Sequence, residues 1–194
     1  MAEVSDARVF LLTGVMAAGK STVAEALAGR FARSAHVRGD AFRTAIVSGR
    51  APILPSLSPE AQAQLALRRR LGSDVALAYH EAGFTTVLQD IYLGEHLIEV
   101  AERLIATPLH VVVLFPSARV VAERKRSRTK TGYGDWEVEA LWAQFMDTTP
   151  RLGLWLDTSA LDVDETVEAI LEDLESSRVT VGDLARARRA LEKS

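Results

Sequence analysis

The chain has 194 residues, which is the usual size of one domain and is long enough to bury a sizeable core. Its 26 acidic and 23 basic residues give a formal net charge of −3, so no overall basic footprint favours nucleic acid as a partner. The sequence contains no cysteine, which excludes disulfides, thiolate metal sites and a cysteine nucleophile. Without a basic and apolar leader or a run of ~18 apolar residues, we expect a cytoplasmic protein that has no membrane partner.

Apolar β-type runs alternate with segments of helical periodicity, as in a parallel sheet whose strands are joined by helices. The predicted strands are residues 9–13, 35–38, 85–88, 110–115 and 152–156. The predicted helices are residues 21–32, 41–48, 59–82, 95–106, 117–128, 136–146, 164–176 and 181–192. Residues 48–60, which include three prolines, are expected to form a long loop. We expect a single domain spanning residues 1–194, with an amphipathic helical appendage at about 179–194.

A glycine-rich segment, GVMAAGKS, follows the first predicted strand and precedes a helix. In such a loop successive backbone N–H groups turn inward, Lys20 reaches the β- and γ-phosphates, and the Ser21 hydroxyl is a ligand of Mg²⁺. The positive end of the helix that follows points at the same anion. The segment therefore predicts a site for a nucleoside triphosphate, with a merely structural turn as the alternative. Its predicted residues are Gly14, Val15, Met16, Ala17, Ala18, Gly19, Lys20, Ser21 and Thr22.

The second predicted strand ends in GDAFR, which places Asp40 at the edge of the sheet from which the glycine loop rises. Ligands of open α/β sheets bind along that edge. A carboxylate there can accept the proton of an attacking hydroxyl, and Arg43, one helical turn later, can hold an anionic or polar group of the substrate. The alternative role for Asp40 is that of a helix N-cap, which is compatible with the first.

The third predicted strand leads to Asp90, where a second acidic residue could support the metal or bind the substrate. A turn role is the alternative, because aspartate is common in turns. Tyr92 follows closely enough to contact an acceptor. We expect His96 and the basic triplet 68–70 of the third helix to lie on the surface.

Arginines cluster at the end of the fifth predicted helix, before the glycine-bearing segment TKTGYGDW. This pattern predicts a lid at about residues 124–136. Arg124 and Arg128 share a helical face and could stabilise the charge on a phosphoryl group during transfer. A solvated helix end that complements its own dipole is the alternative. Asp157, Thr158 and Ser159 follow the fifth strand at the same edge, either beside the base of the nucleotide or as a plain turn.

Together these residues resemble the P-loop small-molecule kinases, and among them the chloramphenicol phosphotransferase-like group with its AAA-type relatives. The resemblance covers roughly residues 9–171 through GVMAAGKS, the Asp40 turn, VLQDIYLG, the arginine lid and WLDTS. It implies an α/β P-loop NTPase fold, with a five-stranded parallel sheet of order 2-3-1-4-5, helices on both faces and a short lid. It also implies that Lys20 and Ser21 bind phosphate and Mg²⁺, that Asp40 is the base, that Arg124 and Arg128 are lid arginines and that residues 157–159 form the adenine-side loop.

The sequence thus predicts an enzyme that uses ATP and Mg²⁺ to phosphorylate a hydroxyl of an antibiotic-, sugar- or nucleoside-like small molecule. GDAFR is also similar to turns of adenylyl-sulfate kinases and polynucleotide kinases, and residues 50–64 match no motif of the chloramphenicol enzymes, so the acceptor is left open. Two alternatives remain. A nucleic-acid 5′-end kinase is disfavoured by the net charge, and a non-catalytic nucleotide-gated switch would not need both Asp40 and the lid arginines. The oligomeric state is not predicted.

Overall fold

The computed structural model describes residues 7–54, 56–126 and 138–193. Within these residues five parallel strands form one sheet in the order β2-β3-β1-β4-β5. The predicted fold class and strand order are confirmed. The strands are β1 (Val9–Gly14), β2 (Ser34–Arg38), β3 (Thr85–Gln89), β4 (Leu109–Leu114) and β5 (Leu154–Leu156).

The helices of the described residues agree with the predicted order but differ at several ends. Asp173, with φ −116° and ψ 47°, divides one predicted helix into two and accepts a hydrogen bond from the backbone N–H of Ser176. None of these helices is both long and apolar enough to cross a lipid bilayer. They are α1 (Lys20–Ala28), α2 (Gly39–Thr44), α3 (Pro59–Glu81), α4 (Glu95–Leu104), α5 (Ala118–Arg126), α6 (Val138–Thr148), α7 (Val163–Glu172), α8 (Leu174–Ser177) and α9 (Val181–Leu191).

Strand β5 is shorter than predicted because of Gly153. This residue has φ +69°, which does not fit an extended strand, and it lies tightly against β4. A Cβ atom at position 153 would come within 2.3 Å of the carbonyl oxygen of Val111. The apolar Leu152 before it is buried but lies outside the ladder.

Strand β1 lies in the middle of the sheet, and all six of its residues are buried. Because helices cover both faces of a parallel sheet, such a strand reads as a continuous apolar run. Leu12 pairs with Gln89 of β3 on one side and with Val112 of β4 on the other. The backbone N–H of Asp90 donates to the carbonyl of Leu12 at 3.3 Å. The chain that leaves β3 therefore emerges beside the glycine loop that leaves β1.

Helix α9 packs on α4 rather than standing free as a solvated appendage. Leu184 and Ala187 are buried in the main hydrophobic cluster. The guanidinium of Arg188 donates to both carboxylate oxygens of Glu102, at 2.7 and 2.6 Å. The apolar side of the amphipathic pattern in residues 179–194 is therefore the face of α9 that packs on α4.

Candidate active site

The segment between β1 and α1 requires glycine at two positions. Gly14 has φ +148°, and a Cβ atom there would lie 2.3 Å from the carbonyl oxygen of Leu114. Gly19 has φ +92°. Ala17 has φ +60°, which is uncommon for a residue with a side chain and is often found at functional sites. These positive φ values show that the segment is not an ordinary turn between a strand and a helix.

Among the described residues, no side chain caps the N-terminus of helix α1. Gly19 is the cap, no side chain accepts a hydrogen bond from the helix start, and the first turn holds no acidic residue. Backbone N–H groups at such an end lack intrahelical partners and attract anions. Lys20 Nζ donates to the carbonyl of Val15 at 2.7 Å, so its ammonium group lies back over the loop. Ser21 Oγ donates to Gln89 Oε1 at 3.4 Å.

Asp40 lies in the first turn of α2 but does not cap that helix. The cap is Arg38, and no side chain accepts a capping hydrogen bond there. Oδ1 of Asp40 is shielded from solvent and has no hydrogen-bond partner among the described residues, while Arg38 Nε is 3.6 Å away. Oδ1 thus has an ion-pair partner in Arg38 but no hydrogen bond, so it retains the capacity to accept a hydrogen bond from a ligand.

Arg68 and Asp90 form a buried ion pair, which corrects the expectation that Arg68 lies on the surface. Arg68 Nε donates to Asp90 Oδ2 at 2.6 Å, and Arg68 Nη2 donates to Oδ1. The backbone N–H of Ile91 also donates to Oδ1, at 2.8 Å. The side chains of Arg68 and Asp90 are only 8% and 5% exposed. Arg68 is therefore buried, whereas the sequence predicted a surface position. Both oxygens of Asp90 are engaged, and this geometry does not support its predicted role as a metal ligand.

Tyr92 belongs to the core and does not reach the acceptor region. The residue is 1% exposed, and its backbone N–H donates to Thr13 Oγ1 at 2.9 Å. Burial raises the pKa of the Tyr92 hydroxyl well above its usual value, and the negative charge of Asp90 adds to this effect. The prediction that Tyr92 contacts the substrate is therefore wrong for this arrangement, because a loop residue after a strand can turn inward as easily as outward.

Arg43 supports the loop between α2 and α3. Its guanidinium donates to the carbonyl of Ala51, and the backbone N–H of Ala51 donates to Gln64 Oε1 at 3.0 Å. These contacts link α2, the loop and α3. A direct contact of Arg43 with substrate stays a prediction.

Arg124 connects the glycine loop to the turn after β5. Its Nη2 donates to the carbonyl of Thr158 at 3.2 Å, and its Nη1 lies 4.0 Å from where a Cβ of Gly19 would be. The cation is thus placed beside the predicted phosphate position. Arg128 and most of the predicted lid at 124–136 lie outside the described residues.

The turn formed by residues 157–159 is held by its own hydrogen bonds. Asp157 Oδ1 accepts from the backbone N–H and the hydroxyl of Ser159, at 2.9 and 2.5 Å. Ser159 Oγ in turn accepts from the backbone N–H of Ser117 at 2.8 Å. The side chains of Asp157 and Ser159 therefore act as turn residues, and contact of the turn with a nucleotide base stays a prediction.

A cavity of about 480 Å³ opens beside the glycine loop, and we call it the acceptor cavity. Val15 and Met16 of the loop line it together with residues of α3, α4 and α6 and of the two loops that precede α3 and α4. Arg68, which was expected on the surface, lines this cavity, and so does His96, which follows Asp90 closely enough to contact an acceptor. For Arg68 a signal existed, because it lies in helical register with the buried residues Ala61 and Gly72 of α3.

A family model described as AAA domain matches residues 9–152. No curated protein matches the sequence. A sugar kinase from Janibacter sp. has 20% identity and a TM-score of 0.61 over 88% of this chain and 96% of its own. A gluconokinase from Sinorhizobium meliloti has 22% identity and a TM-score of 0.56 over 96% and 97%. A shikimate kinase from Bacteroides thetaiotaomicron has 18% identity and a TM-score of 0.59 over 87% of this chain and 98% of its own.

At these identities the structural neighbours show a shared P-loop kinase fold. The family match covers the glycine loop, the Asp40 turn, the Arg68–Asp90 pair and Arg124. This chain belongs to the AAA domain family.

Proposed function

We propose that this protein transfers the γ-phosphoryl group of ATP, bound with Mg²⁺, to a hydroxyl group of a small molecule. The observation that carries the proposal is that the glycine loop and the acceptor cavity share Val15 and Met16. A triphosphate on the loop would therefore end where the cavity begins. The kinase neighbours support the reaction class, because several of them are named for small-molecule acceptors.

The nucleotide phosphates would lie on residues 14–22, against the uncapped start of α1 and Lys20. Within the described part of the chain no three His, Asp or Glu side chains are grouped so that they could hold a metal ion alone. Mg²⁺ would instead be bound mainly by phosphate oxygens and water, as is usual for this ion in kinases. The Ser21 hydroxyl and the Gln89 amide oxygen, 3.4 Å apart, are suitable oxygen donors at this position. When bound, the ion neutralises charge on the phosphate oxygens.

In the proposed reaction the acceptor hydroxyl oxygen attacks the γ-phosphorus while the bond to the β–γ bridging oxygen breaks. The proton of the hydroxyl passes to Asp40, and the electron pair of the broken bond leaves with ADP. Gly39, the residue before Asp40, lies against Asp90, which lines the acceptor cavity. Asp40 itself does not line the cavity, and in this proposal it reaches the acceptor hydroxyl from the adjacent start of α2. Lys20 and Arg124 would stabilise the charge on the phosphoryl oxygens.

The test is ADP release by the purified protein with Mg·ATP and a library of alcohols, sugars, nucleosides and antibiotics. We expect at least one hydroxyl compound to increase ADP release and to gain one phosphoryl group by mass spectrometry. Calorimetry with Mg²⁺ and a non-hydrolysable ATP analogue measures nucleotide binding separately. Absence of binding for any purine triphosphate would refute the proposal.

A further inference from the structure

Each cation that lines the acceptor cavity faces its own carboxylate. Arg68 is paired with Asp90 inside the wall. Arg69, whose side chain is 14% exposed, donates from Nε to Glu99 Oε2 at 3.0 Å. Glu95 lines the cavity as a further acid. Among the described residues the lining therefore carries no excess of positive charge with which to attract an anionic substrate.

The remaining polar groups of the lining are uncharged hydrogen-bonding groups. His96 lies on the first turn of α4, half-buried, with Nδ1 3.3 Å from Glu99 Oε2. Burial lowers the pKa of His96 from its ordinary value, and the charge of Arg69 adds to this effect against the opposing charges of Glu99 and Glu95, which favours the neutral imidazole. Gln144 and Thr148, one helical turn apart on α6, contribute an amide and a hydroxyl.

Aliphatic side chains form most of the rest of the lining. Ile53 and Leu57 come from the loop before α3, and Leu65 comes from α3 itself. Leu93 and Leu141 line it from the segment before α4 and from α6. A ligand that fills this space exchanges water for apolar surface, whereas a carboxylate placed among these groups would lose its hydration without gaining a free cation.

We infer that the acceptor is an uncharged alcohol with a largely apolar body, held by the aliphatic wall and oriented by neutral hydrogen-bonding groups. The inference rests on the proposed function, because it names the substrate class of the same site. Gluconate and shikimate, which carry carboxylates, are therefore poor acceptors for this chain. The specificity arises because Arg68 and Arg69 are already paired with carboxylates. A charged ligand would lose its hydration without gaining an opposite charge, so the site discriminates against it.

The test uses pairs of alcohols that share a scaffold and differ in charge, such as methyl 4-(hydroxymethyl)benzoate and 4-(hydroxymethyl)benzoate, within a panel of aryl and alkyl alcohols. Binding is measured by calorimetry on the full chain, saturated with Mg²⁺ and a non-hydrolysable ATP analogue. We expect the neutral members of the pairs to bind at least about tenfold more tightly than the carboxylates. Tighter binding of the carboxylates or of gluconate, or no binding of any neutral member, overturns the inference.

Glu99→Gln provides a second measurement on the same pairs. Glu99 does not line the cavity, and its replacement leaves Arg69 with a neutral partner. The variant should raise affinity for the carboxylates by about tenfold relative to their esters. Glu102→Gln, on the same helix but paired with Arg188, is the matched control and should leave the ratio unchanged. An unchanged ratio in Glu99→Gln contradicts the inference.

The outcomes separate this inference from the proposed function. If the protein binds the nucleotide and phosphorylates gluconate or another anionic alcohol in preference to neutral ones, the function stands and the inference is wrong. If it binds neutral alcohols but no nucleotide, the inference about the cavity stands and the phosphotransferase proposal is wrong.

Discussion

Gly39 and Asp90 lie so close together that residue 39 has no room for a side chain. A Cβ atom at position 39 would come within 2.1 Å of Asp90 Oδ2 and 2.5 Å of Asp90 Cγ. Asp90 cannot simply rotate away, because Arg68 and the backbone N–H of Ile91 hold its carboxylate. The start of α2, and with it Asp40, is therefore positioned by the buried ion pair.

We expect Gly39→Ala to reduce the free energy of unfolding by about 1–3 kcal/mol, the usual cost of overpacking. The measurement is urea denaturation, with nucleotide binding as a second readout. Gly182→Ala is the control, because a Cβ there would meet nothing nearer than 3.6 Å and alanine is favoured in helices. A Gly39→Ala variant as stable as the wild type would show that α2 is free to move away from Asp90.

Removing one member of the Arg68–Asp90 pair should cost more than removing both. Asp90→Asn leaves Arg68 buried without its counter-charge, and we expect a loss of about 3–5 kcal/mol in the free energy of unfolding. The double variant Arg68→Met, Asp90→Asn should recover part of that loss, because no uncompensated charge remains. A double-mutant cycle from denaturation curves gives the interaction energy, and additive losses would contradict a coupled pair.

Lys20→Ala and Asp40→Asn should separate binding from chemistry. Loss of the Lys20 ammonium should abolish nucleotide binding or turnover. Asp40→Asn should lower kcat by on the order of 10² to 10⁴ while affinity for ATP is largely retained. Calorimetry and ADP release measure the two effects. Undiminished transfer in Asp40→Asn would exclude Asp40 as the base, and a nucleotide-gated switch would keep its partner response in that variant.

Arg124→Gln should slow phosphoryl transfer with little change in stability. Loss of one preorganised donor to a developing charge typically costs on the order of 10² to 10³ in kcat. Arg119→Gln is the matched control on the same helix, because Arg119 is 77% exposed and pairs only with Glu123 in the described structure. Equal effects of the two substitutions on kcat would show that Arg124 does not act on the phosphoryl group.

The buried His110 should make the fold less stable in mild acid. Burial lowers the pKa of His110 below its ordinary value of 6.5, with the charge of Arg8 contributing, while the ring stacks on Phe10 and bonds to Ser177 Oγ at 2.9 Å. The unfolded chain therefore binds a proton more readily, so stability is present above pH 6.5 and falls as the pH decreases through that value. Denaturation midpoints between pH 5 and 7.5 should decline less steeply in His110→Gln, and identical slopes would exclude this cause.

The sheet and the backbone of the glycine loop were predictable because their signals are local. All six residues of β1 are buried and residues 9–12 form an apolar run, while the motif that follows depends on a short stretch of backbone. The end of β5 was not predictable, because only the close approach of Gly153 to Val111 shows why the strand starts late. Periodicity cannot detect a contact between residues that are far apart in the chain.

The site was predictable only at the residues whose position follows from strand ends. Asp40 and Asp90 lie at the expected edge, but what Asp90 does depends on Arg68, which reaches it from helix α3. Tyr92 shows the same limit, since its hydroxyl turns towards Gly72 in the core. Sequence patterns indicate which face of an element is apolar, but they do not identify the partner of a buried charge.

Helix α9, docked on α4, supports one wall of the acceptor cavity. Helix α4 carries Glu95 and His96 into the acceptor cavity and is tied to α9 through Glu102 and Arg188. The glycine loop, in contrast, is anchored in the central strand β1 and meets the cavity at Val15 and Met16. Under the proposed function, substitutions in α9 should therefore alter acceptor binding more than nucleotide binding.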